Sequence, residues 1–351
     1  MAHREGVTTA TRDWTMVHAS ALVKNQKVVT IDGAMPVEEA CNVLVEHNIS
    51  SAPVYNGHHE AKDHAITHPR SYVGMIDYGD FMSYILLVLQ KCPAPINSGE
   101  NVPGDTFEVK DIVRRALAGQ SIPVKLASDL SRKNPFYSIL PEATLLSAME
   151  EFACGIHRVC VMAADGEVLG ILSQSTVVQY LFDNRKSYSD IEQLMNQTLR
   201  QLNLGEADVI AVGAESIVLD ALSLMRQYGV SSVAVLGNNG EIVGNISMTD
   251  VKSYRYQLLW TRCFQFVRIV RTQQGIDDGQ DRLPVFDVRL DTTLGYATAK
   301  LLATKSHRVW VTDERDRAIG VVSLTDIIRV IAASAGINIR AEKDATKSTP
   351  S

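Results

Sequence analysis

No apolar run in this sequence is long enough to cross a bilayer, and no charged start followed by an apolar stretch and a small-residue cleavage site opens it. The apolar stretch Ser83-Tyr84-Ile85-Leu86-Leu87-Val88-Leu89 is short and fits a buried helix turn. The common catalytic signatures are missing. There is no Gly-x-x-x-x-Gly-Lys phosphate loop, no Gly-x-Gly-x-x-Gly, no His-Glu-x-x-His and no Gly-x-Ser-x-Gly. Cationic charge is not in excess. The 34 Lys and Arg face 40 Asp and Glu, a formal net charge of −6, which argues against a nucleic-acid partner held by a broad basic surface. Cysteine is sparse. The five (Cys41, Cys92, Cys154, Cys160, Cys263) are odd in number and lack metal-site spacing, so they read as reduced, mostly buried thiols of an intracellular protein. These absences lead us to expect a cytoplasmic protein, with the nucleus as a second location, that is neither an enzyme nor a membrane protein.

What is present is repetition. The 351 residues are 46% hydrophobic and 21% charged, ordinary for a globular chain with a large core. Gly-x-x-Ser-x-Thr-Asp runs from Gly244 to Asp250 and again from Gly320 to Asp326. A weaker copy, Gly-Met-Ile-Asp-Tyr-Gly-Asp, runs from Gly74 to Asp80. A broken copy, Gly-Ile-Leu-Ser-Gln-Ser-Thr, runs from Gly170 to Thr176, with Thr176 in the acidic place. Nineteen residues before Asp326 stands His307, followed by Arg308; nineteen before Thr176 stands His157, followed by Arg158. The same step back from Asp250 reaches Ser231, and in the first copy the matching pair is Ser50-Ser51, with a longer hairpin loop between. Ten residues before each of these stands a small residue: Ala40, Ser147, Ala221 and Ala297.

Periodicity gives each copy a β-α-β-β-α order over about sixty residues. Such a unit cannot close a core alone, so four units predict two packed pairs with a boundary near 190. The expected divisions are an N-terminal extension 1–21, repeat 1 at 22–91, a linker 92–130, repeat 2 at 131–187, a connector 188–205, repeat 3 at 206–258, a connector helix 259–280, repeat 4 at 281–336 and a disordered tail 337–351. One long helix is expected to carry Tyr256 through Phe266. The insert 56–71 holds His58, His59, His64 and His68; their spacing fits no standard metal set, and a solvated loop is the expectation.

A strand-turn-strand hairpin brings the basic pair and the acidic strand end to opposite rims of one cleft. Arg offers phosphate a planar fork of donors, His beside it donates neutral or charged, and a carboxylate accepts from two vicinal hydroxyls. A nucleotide wants both ends. An Asp after Ser-x-Thr at a strand-to-helix turn is also a good helix cap. Capping explains all four copies, whereas ribose binding explains three.

The repeats resemble cystathionine-β-synthase (CBS) domains over roughly residues 22 to 336. Four in one chain resemble the γ subunit of the AMP-activated protein kinase and its yeast and plant counterparts. They also resemble the four-CBS fungal proteins that regulate type-2A-like phosphatases. The resemblance implies an α/β (α+β) fold of two CBS pairs in a flattened disc. It implies AMP, ADP or ATP as ligands and, as partners, kinase catalytic and scaffold subunits or else a phosphatase. The kinase reading is the leading expectation. In this reading Asp80, Asp250 and Asp326 accept from ribose, and Ser247, Thr249, Ser323 and Thr325 line the same turns. His157, Arg158, His307 and Arg308 hold phosphates. One departure is clear: the γ subunit has an arginine where this chain has Ser50.

Overall fold

The computed structural model describes residues 13–56, 71–89, 107–131, 135–206, 208–253, 256–278 and 285–337. The histidine-rich insert, Cys92 and the tail from 338 onward lie outside them. No described helix is long and apolar enough to cross a membrane.

Four units of one design follow each other. In repeat 1, after α1 (Ala19–Val23), come β1 (Ile31–Asp32), α2 (Val37–Glu46), β2 (Ser51–Tyr55), β3 (Tyr72–Asp77) and α3 (Tyr78–Val88). The intervening α4 (Phe107–Leu117) and α5 (Val124–Ala127) lead to repeat 2: β4 (Ser138–Ile139), α6 (Leu145–Ala153), β5 (Arg158–Met162), β6 (Val168–Ser173) and α7 (Gln174–Asp183). Then α8 (Ser189–Met195) precedes repeat 3: β7 (Ala211–Gly213), α9 (Val218–Tyr228), β8 (Ser232–Leu236), β9 (Ile242–Ser247) and a 3-10 turn over Met248–Ser253. Finally α10 (Cys263–Asp278) precedes repeat 4: β10 (Asp287–Val288), α11 (Leu294–Ala303), β11 (Arg308–Thr312), β12 (Ala318–Ser323) and α12 (Leu324–Ser334). Each repeat makes a three-stranded sheet. Its short first strand pairs parallel with the second, and the second and third form an antiparallel hairpin.

The small residue before each hairpin has a packing reason. Ala40, Ala148, Ala221 and Ala297 each stand fourth in their helix and are fully buried. In repeat 2 the expected residue was Ser147, which is exposed. Helix α6 has 9 residues against 10 in α2 and α11, so the fixed offset slips by one there. The helix expected across Tyr256–Phe266 is also interrupted. Tyr256–Trp260 is a 3-10 turn, and the chain then extends so that Val218 donates to Thr261 and Cys263 to Ser216.

That exchange recurs four times and is what builds the pairs. Antiparallel bridges join His18 to Thr144, Pro36 to Pro123, Thr198 to Thr293 and Ile217 to Arg262. The segment ahead of each repeat thus covers the other member of its pair. Residues expected as an N-terminal extension pack on repeat 2: Trp14 is 1% exposed and its indole donates to Asp190 at 2.8 Å. Residues 107–130, expected as linker, cover repeat 1, where Val124 donates to Met35 and Asp129 to Met75. The motif glycine makes room for this crossing. A Cβ at Gly74 would lie 2.1 Å from Ser128 Oγ, one at Gly170 2.4 Å from Val23 Cβ, and one at Gly244 3.0 Å from Val267.

The two expected pairs form: Met75, Cys160 and Val168 make a buried sheet seam between repeats 1 and 2, and the hairpins of repeats 3 and 4 meet at an antiparallel bridge of Glu241 with Arg317. Helices join the pairs to each other. One core runs through repeats 2 and 4 (Phe152, Leu172, Leu301, Ile327) and another through repeats 1 and 3 (Leu44, Ile76, Leu222, Ile246). The contacts close a ring in the order 1–2–4–3. The thiols divide. Cys160 and Cys263 are buried, and burial pushes each up to about 12. Cys154, expected with the buried set, is exposed at the C-cap of α6.

Candidate functional site

Hairpin register sets the site. Arg158 pairs with Ser173 and Arg308 with Ser323, while Ser51 pairs with Asp77 and Ser232 with Ser247. Each second strand therefore begins beside the residue that caps the following helix. Ser173 and Ser323 are those N-caps, with Oγ accepting from the N–H of Thr176 and Asp326. The aspartates do not occupy the cap position itself. Asp80 and Asp326 stand at the third helical position and reach back to the cap's N–H, completing a capping box, and Asp250, in the 3-10 turn, likewise accepts from the N–H of Ser247.

The three aspartates differ in what this leaves over. Asp80 is fully buried; one oxygen accepts from Asp77 N–H at 3.0 Å and the other from Ser131 N–H at 2.8 Å. Burial, with the like charge of Asp77, pushes its pKa well above the usual carboxylate range. It presents no accessible surface to a ribose. Asp250 is 3% exposed; its Oδ2 accepts from Ser247 N–H at 2.8 Å, and its Oδ1 faces Arg271 Nη1 at 3.6 Å. Asp326 uses Oδ2 for Ser323 N–H at 2.9 Å. Its Oδ1 meets only Arg329 Nη1, at 3.9 Å, among the described residues, and its side chain is 30% exposed. Thr249 is exposed and shares a 2.9 Å hydrogen bond with Ser247. Thr325 is engaged across the ring by Gln174, 3.0 Å from its Nε2.

The basic residues converge. Arg158 reaches from repeat 2 into repeat 1, where Nη2 donates to Ser50 Oγ at 3.0 Å. Arg308 reaches in the same way from repeat 4 into repeat 3, donating to Ser231 Oγ and to the Ser232 carbonyl. His307 stands between. By surface area it is exposed, yet protein crowds it: burial pushes its imidazole down to about 4, with the charges of Arg158 and then Arg308 pushing the same way. Burial likewise pulls Arg308 down to about 10, opposed by Asp326, so it remains a cation. His157 anchors its repeat through its carbonyl, which accepts from Gln174 N–H at 3.1 Å.

One residue of this junction escaped sequence reasoning. Asp77 fills the slot held by serine in the other three repeats, and its Oδ2 lies 3.4 Å from Arg158 Nη1. Both side chains are about nine-tenths buried, at 11% and 10% exposed. At an effective dielectric of about 20 their attraction is roughly 5 kcal/mol, largely offset by desolvation, but removing one partner strands a buried charge at a cost of about 3–5 kcal/mol. The signal was in the motif: Gly-Met-Ile-Asp has an acid where Gly-x-x-Ser recurs. Arg308 has no carboxylate within 4.0 Å among the described residues, because Ser247 stands in the place of Asp77. The two junctions are alike in geometry and differ by one carboxylate against the arginine. Two surface hollows of about 560 and 510 Å³ flank α10 and involve none of these residues.

Comparison with known proteins agrees with the repeat structure. The CBS domain model matches residues 17–87, 127–183, 203–256 and 281–333. Protein SDS23 of Kluyveromyces lactis is 34% identical over 351 residues, covering 92% of this chain and 63% of the relative. Protein sds23 of Aspergillus niger is 35% identical over 310 residues, covering 86% of this chain and 58% of the relative. Protein SDS23 of Yarrowia lipolytica is 31% identical, covering 93% and 68%. The chain thus spans somewhat over half to two thirds of these relatives. Among solved structures, protein MJ1225 of Methanocaldococcus jannaschii, proposed as an archaeal homologue of the AMPK γ subunit, superposes with a TM-score of 0.65 at 15% identity, over 90% of this chain and all of that one. With four matched repeats, four equivalent bridges and two sheet-joined pairs, the chain belongs to the CBS-domain family.

Proposed function

We propose that this protein is a non-catalytic regulator of a type-2A-like protein phosphatase, and that it takes up a phosphate-bearing adenine nucleotide where repeats 3 and 4 meet. The partner follows from kinship. The relatives above are fungal SDS23 proteins, which favours the phosphatase-regulating fungal family over the kinase γ subunits among the two that the repeats resemble. The kinase reading keeps only the likeness of fold to MJ1225. The ligand rests on one observation: Arg308 is a half-buried cation whose hydrogen-bond partners are neutral oxygens, with His307 beside it and one oxygen of Asp326 turned outward. Arg308 supplies a fork to phosphate. His307, neutral as the fold holds it, gains a proton when a dianion arrives. Asp326 accepts from a ribose hydroxyl.

Affinity purification of the full chain from a fungal extract tests the partner. The expected result is a type-2A-like phosphatase catalytic subunit recovered in near-stoichiometric amount. Recovery of a kinase catalytic subunit in its place overturns the partner and restores the γ-subunit reading.

A further inference from the structure

We infer that the junction of repeats 1 and 2 is a second oxyanion site, held closed by Asp77, whose carboxylate occupies the place of a ligand phosphate on Arg158. This deepens the functional reading above, since it takes the Arg308 junction as the open form of the same site. Arg158 and Arg308 begin equivalent strands and donate through Nη2 to equivalent serines, Ser50 and Ser231. What differs is the facing strand end, Asp77 in one case and Ser247 in the other. A carboxylate oxygen 3.4 Å from a guanidinium nitrogen, both side chains about nine-tenths buried, meets that cation as a phosphate oxygen would. A free anion must displace a neighbour tethered to the same fold, at very high effective concentration. Asp77 is also well placed to stay. Its Oδ1 accepts from Gly79 and Asp80 N–H at 2.8 and 3.1 Å, so Oδ2 is held toward Arg158. The ligand class is a tetrahedral oxyanion, free phosphate or the phosphate of a nucleotide.

Asp77→Ser tests it, because serine caps about as well as aspartate while removing the charge. The measurement is the thermal midpoint of the full chain without and with 10–50 mM (about tenfold over weak binding) inorganic phosphate at constant ionic strength. Without phosphate, Asp77→Ser should melt about 5 °C below the parent, for want of a partner to Arg158. Phosphate should restore most of that loss, beyond any shift it gives the parent, and Asp77→Ser/Arg158→Ala should respond no more than the parent does. AMP in place of phosphate separates a nucleotide from a free-phosphate site by the lower concentration needed. Arg308→Ala in the parent reports separately on repeats 3 and 4: if phosphate moves neither it nor the parent, the open-site reading fails, whatever Asp77→Ser does. A phosphate response in Asp77→Ser that does not exceed the parent's, or an excess that survives loss of Arg158, overturns the closed-site proposal. Asp77→Asn, which keeps size and cap, is the second variant and carries the same expectations.

Discussion

At the scale of single residues, the motif aspartates show how one side chain serves two ends. A carboxylate has two oxygens. In all three copies one oxygen accepts from the N–H three residues back, so the turn that ends the hairpin is fixed before any ligand arrives. Only Asp326 turns its second oxygen outward without a hydrogen bond among the described residues; Asp80 gives its second to Ser131. His307 makes a further test possible. Its folded pKa is depressed from 6.5 to about 4 by burial and by Arg158 and Arg308. Between those values the unfolded chain binds the proton and the folded chain does not, so His307 lends stability above pH 6.5 that is lost as pH falls toward about 4. His307→Gln should therefore flatten the fall of thermal midpoint between pH 7 and 4. A variant whose midpoint falls as steeply as the parent's would show that His307 is not held neutral.

At the scale of elements, the hairpin and its capping turn were legible and the crossing segments were not. Strands, helices and the Gly-x-x-Ser-x-Thr-Asp turn have local signatures: alternation, periodicity, a cap and an acid three residues on. The exchange of leading segments has none. Nothing local in Trp14 or in Val124 says which sheet it will cover, so residues 14–21 and 107–130 read as extension and linker. The motif glycine was the missed clue, since a strand glycine marks a close backbone approach. Gly170 shows the cost of removing it. An added Cβ would sit 2.4 Å from Val23 Cβ, which is backbone-fixed and cannot rotate away, so α1 must shift. Gly170→Ala should lose about 1–3 kcal/mol in urea denaturation. An unchanged midpoint would mean that α1 is loosely held on repeat 2.

At the scale of the whole molecule, the ring 1–2–4–3 makes the four hairpin ends face one centre. Cores run through repeats 1 with 3 and 2 with 4, while sheets seal 1 to 2 and 3 to 4, so no repeat closes by itself. The ring also explains why the candidate site was half legible. Recurrence named His307, Arg308, Arg158 and Asp326, all of which meet at the centre or border it. Pairing across repeats could not be read from spacing, so Asp77 on Arg158, Gln174 on Thr325 and Ser131 on Asp80 appeared only with the fold. The central claim is that repeats 3 and 4 take up an adenine nucleotide through Arg308. Calorimetric titration of the full chain with AMP, beside Arg308→Ala, tests it most directly. The prediction is one site of micromolar affinity in the parent, weakened at least tenfold, about 1.4 kcal/mol, in the variant. No heat at protein concentrations of about 100 µM, or equal binding by Arg308→Ala, would contradict it.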